Sequence, residues 1–133
     1  ITGINRDTTR AHIVRAALES IAYQVKDLID LMVNEGGIPL MELRVDGGPT
    51  RNNFLMQFQC DMLGHEVVRS TIEEVSALGA TFLAGLATGF WNSLEEIKSL
   101  YSSDCTFTMQ KNPEETMKLY SGWKKAVEKT RHR

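Results

Sequence analysis

The sequence contains little of what marks disulfide-rich, zinc-binding, membrane or nucleic-acid-binding proteins. Only two of its 133 residues are cysteine, Cys60 and Cys105, and no CxxC pair occurs, so neither a disulfide framework nor a zinc site is indicated. The 15 Lys and Arg residues against 17 Asp and Glu residues give a net charge of −2, which leaves no basic surplus for a row of phosphates. The most apolar stretch, 77–86, is shorter than the ~20 residues of a membrane span. We therefore expect neither nucleic acid nor a membrane as a partner, and the cysteines fit a reducing cytoplasm.

The residues that are present describe an ordinary globular domain. Hydrophobic residues make up 42% of the chain and charged residues 24%, which is typical of a soluble domain. A chain of 133 residues is too short for two such domains. We therefore predict a single domain over 1–133. The chain begins at Ile1 without an initiator Met or a signal-like stretch, and we expect it to be a piece of a longer protein.

Hydrophobic periodicity predicts five helices. They cover 8–32, 53–63, 73–88, 93–100 and a final segment that starts at 113 and leads to a basic tail, 129–133. Residues suited to helix ends support these bounds: Asp7, Thr8 and Thr9 as candidate caps of the first helix, Asn112 as the cap of the last, and Gly64 and Gly89 beyond C-terminal ends.

Two short apolar segments between these helices predict strands. They cover 42–46 and 66–69, and because a helix separates them we expect them to be parallel. A third segment, 105–109, alternates weakly and indicates a loop or an edge strand. This order predicts an α/β layered domain. Since two or three strands are few for a free-standing sheet, further strands are expected in sequence outside this chain.

The segment most suggestive of a binding site joins the first strand to the second helix. We call residues 46–52 the glycine turn: Asp46, Gly47 and Gly48 follow the strand, and Asn52 opens the helix. Two glycines at the carboxyl end of a strand leave bare backbone against which a flat ligand can rest. Asn52 can offer an amide to a base or ribose. The alternative is a turn that needs glycine only for its backbone angles, with Asn52 as a helix cap, and spacing alone favours that alternative.

Other chemistry is weakly indicated. Neither a GxxxxGK[ST] loop nor a GxGxxG motif occurs, and the histidines lack partners at metal-binding spacing, so we interpret His12 as a packing or surface residue. Asp46 could coordinate a metal through water or polarise a ligand hydroxyl, but we favour the interpretation that it caps the turn that follows it. The acidic pairs at 73–74, 95–96 and 114–115 fall in first helical turns, where they complement the helix dipole. The aromatic residues Trp91, Tyr120 and Trp123 are interpreted as core packing.

Several motifs resemble those of one family. The chain is similar to the C-terminal part of the FGGY carbohydrate kinases, most of all to the members that phosphorylate glycerol. The similarity covers nearly the whole chain and is carried by these segments: 3–4, 12–19, 19–24, 43–48, 52–59, 77–80, 89–91 and 122–126.

The resemblance implies a fold, a reaction and a binding role. The fold implied is the C-terminal part of the second domain of an actin-like, ribonuclease-H-like ATPase. The reaction implied is transfer of the ATP γ-phosphoryl group to a hydroxyl of glycerol or a related polyol or sugar, with Mg²⁺ neutralising charge. Gly48 and Asn52 would contact the adenosine of ATP or ADP, with Gly47 in support. The catalytic aspartate, phosphate loops and acceptor site would precede this segment.

The same resemblance sets the expected partners and leaves alternatives open. The partners implied are the N-terminal lobe of the kinase, a small-molecule substrate and further copies in a homo-oligomer, and we expect the segment alone to be inactive. Pro49, Thr50 and Arg51 replace small apolar residues of the family pattern, which leaves room for a sibling sugar kinase such as one acting on xylulose. A non-catalytic binding or oligomerisation module is the alternative from another class.

Overall fold

A computed structural model describes residues 1–71, 75–100 and 103–131. Helices and strands follow one another with short connections, as the sequence predicts. In chain order they are α1 (Arg10–Gly36), β1 (Glu42–Val45), a 3-10 helix (Gly48–Arg51), α2 (Asn53–Leu63), β2 (Glu66–Ser70), α3 (Val75–Thr88), α4 (Leu94–Leu100), β3 (Ser103–Phe107) and α5 (Pro113–Arg131).

The ends of α1 follow local capping chemistry. The Thr9 hydroxyl accepts a hydrogen bond from the His12 backbone N–H at 3.4 Å, and the His12 ring accepts one from the Thr9 N–H at 3.2 Å. His12 is exposed and helps to cap the helix, which agrees with its interpretation from the sequence as a packing or surface residue. Gly37 ends the helix with a φ of 64°. The helix therefore runs four residues beyond the predicted 32, because nothing before the glycine pair interrupts it.

The strands form one sheet in the order β1-β2-β3. The predicted parallel pairing of β1 with β2 is confirmed, with Leu43 beside Val67. The segment predicted as a loop or edge strand is an edge strand: β3 runs antiparallel to β2 and places Phe107 beside Val67. A register shift lies between Arg69 and Ser70, and the pairing continues beyond it with Ser70 beside Ser103.

The core lies between the sheet and the helices α1 and α5, with α2 at its centre. Helix α2 contributes eight buried residues, among them Leu55, Phe58 and Cys60. Tyr23 of α1 stacks on Trp123 of α5 at 5.4 Å between ring centroids and meets Phe58 edge-on at 5.5 Å. The prediction that Trp123 packs in the core is confirmed.

Helices α3 and α4 lie over the opposite face of the sheet. A cavity of about 700 Å³ separates them from it, lined by Val68 and Arg44 of the strands and by Phe82 and Ile97 of the helices. Trp91, between the two helices, packs edge-on against Phe82 at 5.1 Å. This face of the sheet is covered less tightly than the α2 face.

The remaining predicted bounds differ slightly from the structure. Helix α5 continues through Arg131, so the predicted basic tail is partly helical and its last two residues lie outside the described ranges. The predicted start of α3 and the acidic pair at 73–74 also lie outside them. The pairs at 95–96 and 114–115 occupy first helical turns as predicted. None of the helices in the described part of the chain has the length and apolar character of a membrane span.

Candidate functional site

The glycine turn leaves β1 at its carboxyl end. Gly47 has a φ of 85°, a backbone conformation that residues with a side chain rarely adopt. Its carbonyl oxygen accepts two hydrogen bonds from Thr50, one from the backbone N–H at 3.1 Å and one from the hydroxyl at 2.7 Å. Thr50, which departs from the family pattern, is buried and closes the turn. Gly47 is therefore required by the fold of the turn itself.

Gly48 is a different case. Its φ is not positive, and a Cβ built on its backbone would meet no atom within 4 Å. The residue is exposed and begins the 3-10 helix. Neither a positive φ nor an atom of the described residues beyond its two chain neighbours demands a glycine at this position, whereas the close approach of a ligand to bare backbone would.

Asn52 sits where the 3-10 helix meets α2. Its side-chain Oδ1 accepts a hydrogen bond from the Leu55 N–H at 3.1 Å, so Asn52 caps α2. In the described part of the chain its Nδ2 group makes no hydrogen bond, and the residue is exposed. The cap uses one atom of the amide and leaves the other for a ligand, so the two interpretations of Asn52 are compatible.

The structure adds a residue that the sequence analysis did not identify. Arg69, at the end of β2, donates hydrogen bonds from Nη1 to the Thr50 carbonyl at 3.1 Å and to the Asn53 Oδ1 at 2.9 Å. Its guanidinium also lies over the Phe107 ring, 5.7 Å from the centroid. These contacts join residues 16 and 19 positions apart. No local sequence pattern marks such a pairing.

Asp46 does not cap the turn as expected. The 3-10 helix begins after Gly47 without a side-chain cap, and the exposed Asp46 makes no hydrogen bond to it among the described residues. One physical reason is that Pro49, three residues after Asp46, has no N–H to donate to a capping carboxylate. Within residues 1–71, 75–100 and 103–131, no group of three or more His, Cys, Asp or Glu side chains is arranged to hold a metal ion.

A second polar cluster lies between α1 and α5. The Asp27 carboxylate accepts hydrogen bonds from the Tyr120 hydroxyl, from Trp123 Nε1 at 2.8 Å and from Lys124 Nζ at 2.8 Å. Burial alone would raise the pKa of Asp27, but the hydrogen bonds from Lys124, Tyr120 and Trp123 together hold it below its ordinary value. The hydrogen bond to Asp27 raises the pKa of Lys124 to about 12. This cluster attaches α5 to α1 and is built from elements other than the glycine turn.

Both cysteines are free thiols. Cys60 is buried and its Sγ–H donates to the Phe107 carbonyl at 3.2 Å. Burial raises the pKa of the Cys60 thiol, with the charge of Asp61 in support, so it is not poised to act as a nucleophile.

Comparison with known proteins identifies the fold and the family. Residues 1–88 match the model of the C-terminal domain of the FGGY family of carbohydrate kinases. The chain is 53% identical over 130 residues to glycerol kinase of Francisella philomiragia and 52% identical over 132 residues to glycerol kinase of Petrotoga mobilis. These matches cover 98% and 99% of the chain. The chain spans only 26% of the length of these relatives.

Solved structures show the same relationship. A Plasmodium falciparum glycerol kinase solved with ADP superposes with a TM-score of 0.87 at 42% identity, covering 96% of this chain and 26% of that one. A Rhodospirillum rubrum xylulose kinase superposes with a TM-score of 0.78 at 25% identity, covering 99% of this chain and 28% of that one. The expected C-terminal part of an actin-like ATPase fold is thereby confirmed. The chain belongs to the FGGY family of carbohydrate kinases and corresponds to the C-terminal domain of its glycerol kinases.

Proposed function

We propose that this chain is the adenosine-nucleotide-binding part of an ATP-dependent glycerol kinase. The complete enzyme would transfer the γ-phosphoryl group of ATP to a hydroxyl of glycerol, giving glycerol 3-phosphate and ADP. Identity above 50% to glycerol kinases over nearly the whole chain supports this assignment. The similar Plasmodium falciparum enzyme was solved with ADP, which supports an adenine nucleotide as the ligand.

The observation that carries the nucleotide proposal is Gly48. It is an exposed glycine at the carboxyl end of a strand in a sheet with parallel pairing, an edge where α/β proteins bind ligands. Neither a positive φ nor an atom in the described part of the chain, beyond its two chain neighbours, requires glycine there. A ligand lying flat against the backbone does, because a methyl group would occupy the space of the ligand's face.

The residues of the turn fit an adenosine. The Asn52 Nδ2 group can donate to a ribose or base oxygen or nitrogen while Oδ1 keeps its capping bond. The start of α2, where Asn52 is the cap, adds a field that favours the negative charge of the nucleotide. Gly47 supports the turn through its left-handed backbone. Mg²⁺, the phosphate-binding loops, the catalytic base and the acceptor site belong to the rest of the enzyme in this proposal.

The rest of the enzyme is also the proposed partner of the exposed apolar surface. On α1, Val14, Ile21 and Leu28 are 51%, 45% and 57% exposed, and they repeat at seven-residue spacing along one side of the helix. On α3, Leu83 is 68% exposed. Exposed apolar stripes of this kind mark interfaces. Because phosphoryl transfer needs both substrates and the metal held together, we infer that the chain alone is inactive.

Two alternatives remain testable. The first is a sibling kinase that acts on xylulose or another sugar, which the superposition on the xylulose kinase favours. Against it, the chain is 25% identical to that xylulose kinase but 53% identical to the Francisella philomiragia glycerol kinase. A non-catalytic assembly module is favoured by the exposed stripe on α1, and it predicts that the glycine turn binds nothing. We further propose a cytoplasmic enzyme that forms a homo-oligomer, in keeping with two reduced cysteines and with the family resemblance.

The nucleotide proposal is tested by titrating ADP into the chain by calorimetry, with GDP for comparison. Asn52→Ser keeps a cap oxygen but removes the amide donor, so it should weaken ADP binding about tenfold, the equivalent of one hydrogen bond, with little change in stability. Gly48→Ala should abolish measurable binding, and circular dichroism at the assay temperature checks that this variant, whose added Cβ precedes Pro49, is folded. Both expectations follow from the open space around the two side-chain positions.

Asn112→Ser is the matched control. Asn112 caps α5 through a bond from the Glu114 N–H at 3.0 Å, so the same substitution there should leave ADP binding intact. Folded Gly48→Ala and Asn52→Ser proteins that bind ADP as tightly as the parent chain would contradict the proposed site. A folded parent chain that binds no ADP would contradict an independently competent nucleotide site on this chain.

A further inference from the structure

Arg69 connects the sheet to the glycine turn at the place where the nucleotide is proposed to bind. In the parallel register of β1 and β2, Arg69 lies beside Val45, the last residue before the turn. Side chains alternate along a strand, so Arg69 shares the face of the buried Val67, which is the face covered by α2. The guanidinium therefore reaches under the turn from the core side.

The contacts of Arg69 hold both ends of the segment that carries Asn52. One contact is with the Thr50 carbonyl in the 3-10 helix and the other with the Asn53 side chain in the first turn of α2, at 3.1 and 2.9 Å. Asn52 lies between these two anchored residues. A guanidinium nitrogen carries two N–H groups, which allows it to serve both acceptors at once.

The anchored residues are in turn connected to Gly47. Thr50 is buried and donates its hydroxyl hydrogen to the Gly47 carbonyl at 2.7 Å. The guanidinium is itself placed by the buried Phe107 of β3, whose ring centroid lies 5.7 Å away. A continuous set of contacts thus runs from β3 through Arg69 and Thr50 to the glycines.

We propose that Arg69 is a positioning residue for the nucleotide: it does not contact the ligand but holds the glycine turn in the conformation that binds adenosine. The proposal rests on the nucleotide-binding function proposed above. It predicts that removing the two N–H donors loosens the turn locally and weakens ADP binding, even where the rest of the domain stays folded.

The test compares Arg69→Met, Arg69→Lys and Arg44→Met in the 133-residue chain, each checked for folding by circular dichroism. Methionine keeps an apolar stem without donors, and lysine restores a charged donor without the fork. Arg44 is the matched control, because it lies on β1 and lines the cavity on the opposite face of the sheet. Amide hydrogen exchange of Thr50 and Asn52 reports on the turn, since both N–H groups are bonded within it.

In Arg69→Met we expect exchange at these two amides to rise about tenfold relative to the amides of Cys60 and Leu63 in α2. ADP binding should weaken by a similar factor at a temperature where the variant is folded. Arg69→Lys should give exchange rates and an ADP affinity between those of the parent chain and Arg69→Met. Arg44→Met should match the parent chain in both measurements. This pattern would establish a positioning role, because a general loss of stability raises exchange in the turn and in α2 alike.

Unchanged relative exchange at Thr50 and Asn52 in folded Arg69→Met, or in Arg69→Lys if the first variant does not fold, would overturn the proposal. So would unchanged ADP affinity in a variant whose turn has loosened. The two proposals fail separately: a parent chain that binds no ADP contradicts an independently competent site, whereas the exchange measurement still decides whether Arg69 holds the turn.

Discussion

The attachment of α5 to α1 through Asp27 provides a quantitative test of how this fold is held together. The carboxylate accepts hydrogen bonds from Tyr120, Trp123 and Lys124, which follow one another along α5. Asp27→Asn keeps the size of the side chain but removes its charge and replaces one acceptor oxygen with a donor. At least one of the α5 donors then loses its acceptor.

The three contacts do not contribute equally. The Lys124 pair is exposed, with side-chain exposures of 58% for Lys124 and 34% for Asp27, and pairs of this kind contribute about 0–1 kcal/mol because solvent screens them. The Tyr120 and Trp123 contacts are half-buried and involve a charged acceptor, so they matter more. We expect Asp27→Asn to lower the free energy of unfolding by about 1–2 kcal/mol, a fall in melting temperature of about 5 °C for a chain of this size.

The pH dependence gives the sign of the effect. The pKa of Asp27 is lower in the folded protein than its ordinary value of 3.8, so the folded state holds fewer protons than the unfolded state near that pH. The stabilisation by the charged group is therefore fully present above the unfolded pKa and is lost as the pH falls through the folded pKa. The difference between the parent chain and Asp27→Asn should persist at pH 7 and pH 5 and shrink below pH 3.8.

The assay is urea unfolding followed by circular dichroism at several pH values. Asp30→Asn is the control, because Asp30 lies one turn further along α1, pairs with Lys26 at 3.0 Å as an i,i+4 pair, and contacts the Tyr120 hydroxyl only at the long distance of 3.5 Å. It should cost about 0.5 kcal/mol or less. Equal losses from Asp27→Asn and Asp30→Asn, or a difference from the parent chain that does not shrink in acid, would refute the reasoning.

Two further predictions concern packing and activity. A Cβ at Gly85 would lie 2.1 Å from the Trp91 ring, so Gly85→Ala should lower the free energy of unfolding by about 2 kcal/mol in thermal unfolding. Gly79 lies in open space on the same helix, so the control Gly79→Ala should raise it by up to about 1 kcal/mol. A Gly85→Ala variant as stable as the parent chain would contradict the described packing. The chain alone should not phosphorylate glycerol, but it should support activity when it replaces the matching part of the Petrotoga mobilis glycerol kinase, to which it is 52% identical. A folded chimera without glycerol kinase activity would count against the proposed function.

Most features of the glycine turn depend on residues that are close together in the sequence. The glycine turn, the cap at Asn52 and the strand before them follow from local rules, since a cap and its N–H partner lie three residues apart. Local rules also account for Thr9, whose N–H partner lies three residues on, and for Asn112, whose N–H partner lies two residues on. The prediction that Asp46 caps the turn is wrong: Pro49 has no N–H for the carboxylate, and the turn is closed instead by the Thr50 hydroxyl, which donates to the Gly47 carbonyl.

The sequence by itself determined the five helices, the first two strands and their parallel pairing, the position of the glycine turn and the family, and it left the third strand open as a loop or an edge strand. Each of these depends on periodicity, capping or motifs within a few residues. Only the tertiary structure decided that Arg69 bonds to Thr50 and Asn53 and that Asp27 binds α5, because those partners lie 16 to 97 residues apart. Contacts at such separations depend on how the layers pack, and packing is a property of the whole folded chain rather than of any one segment.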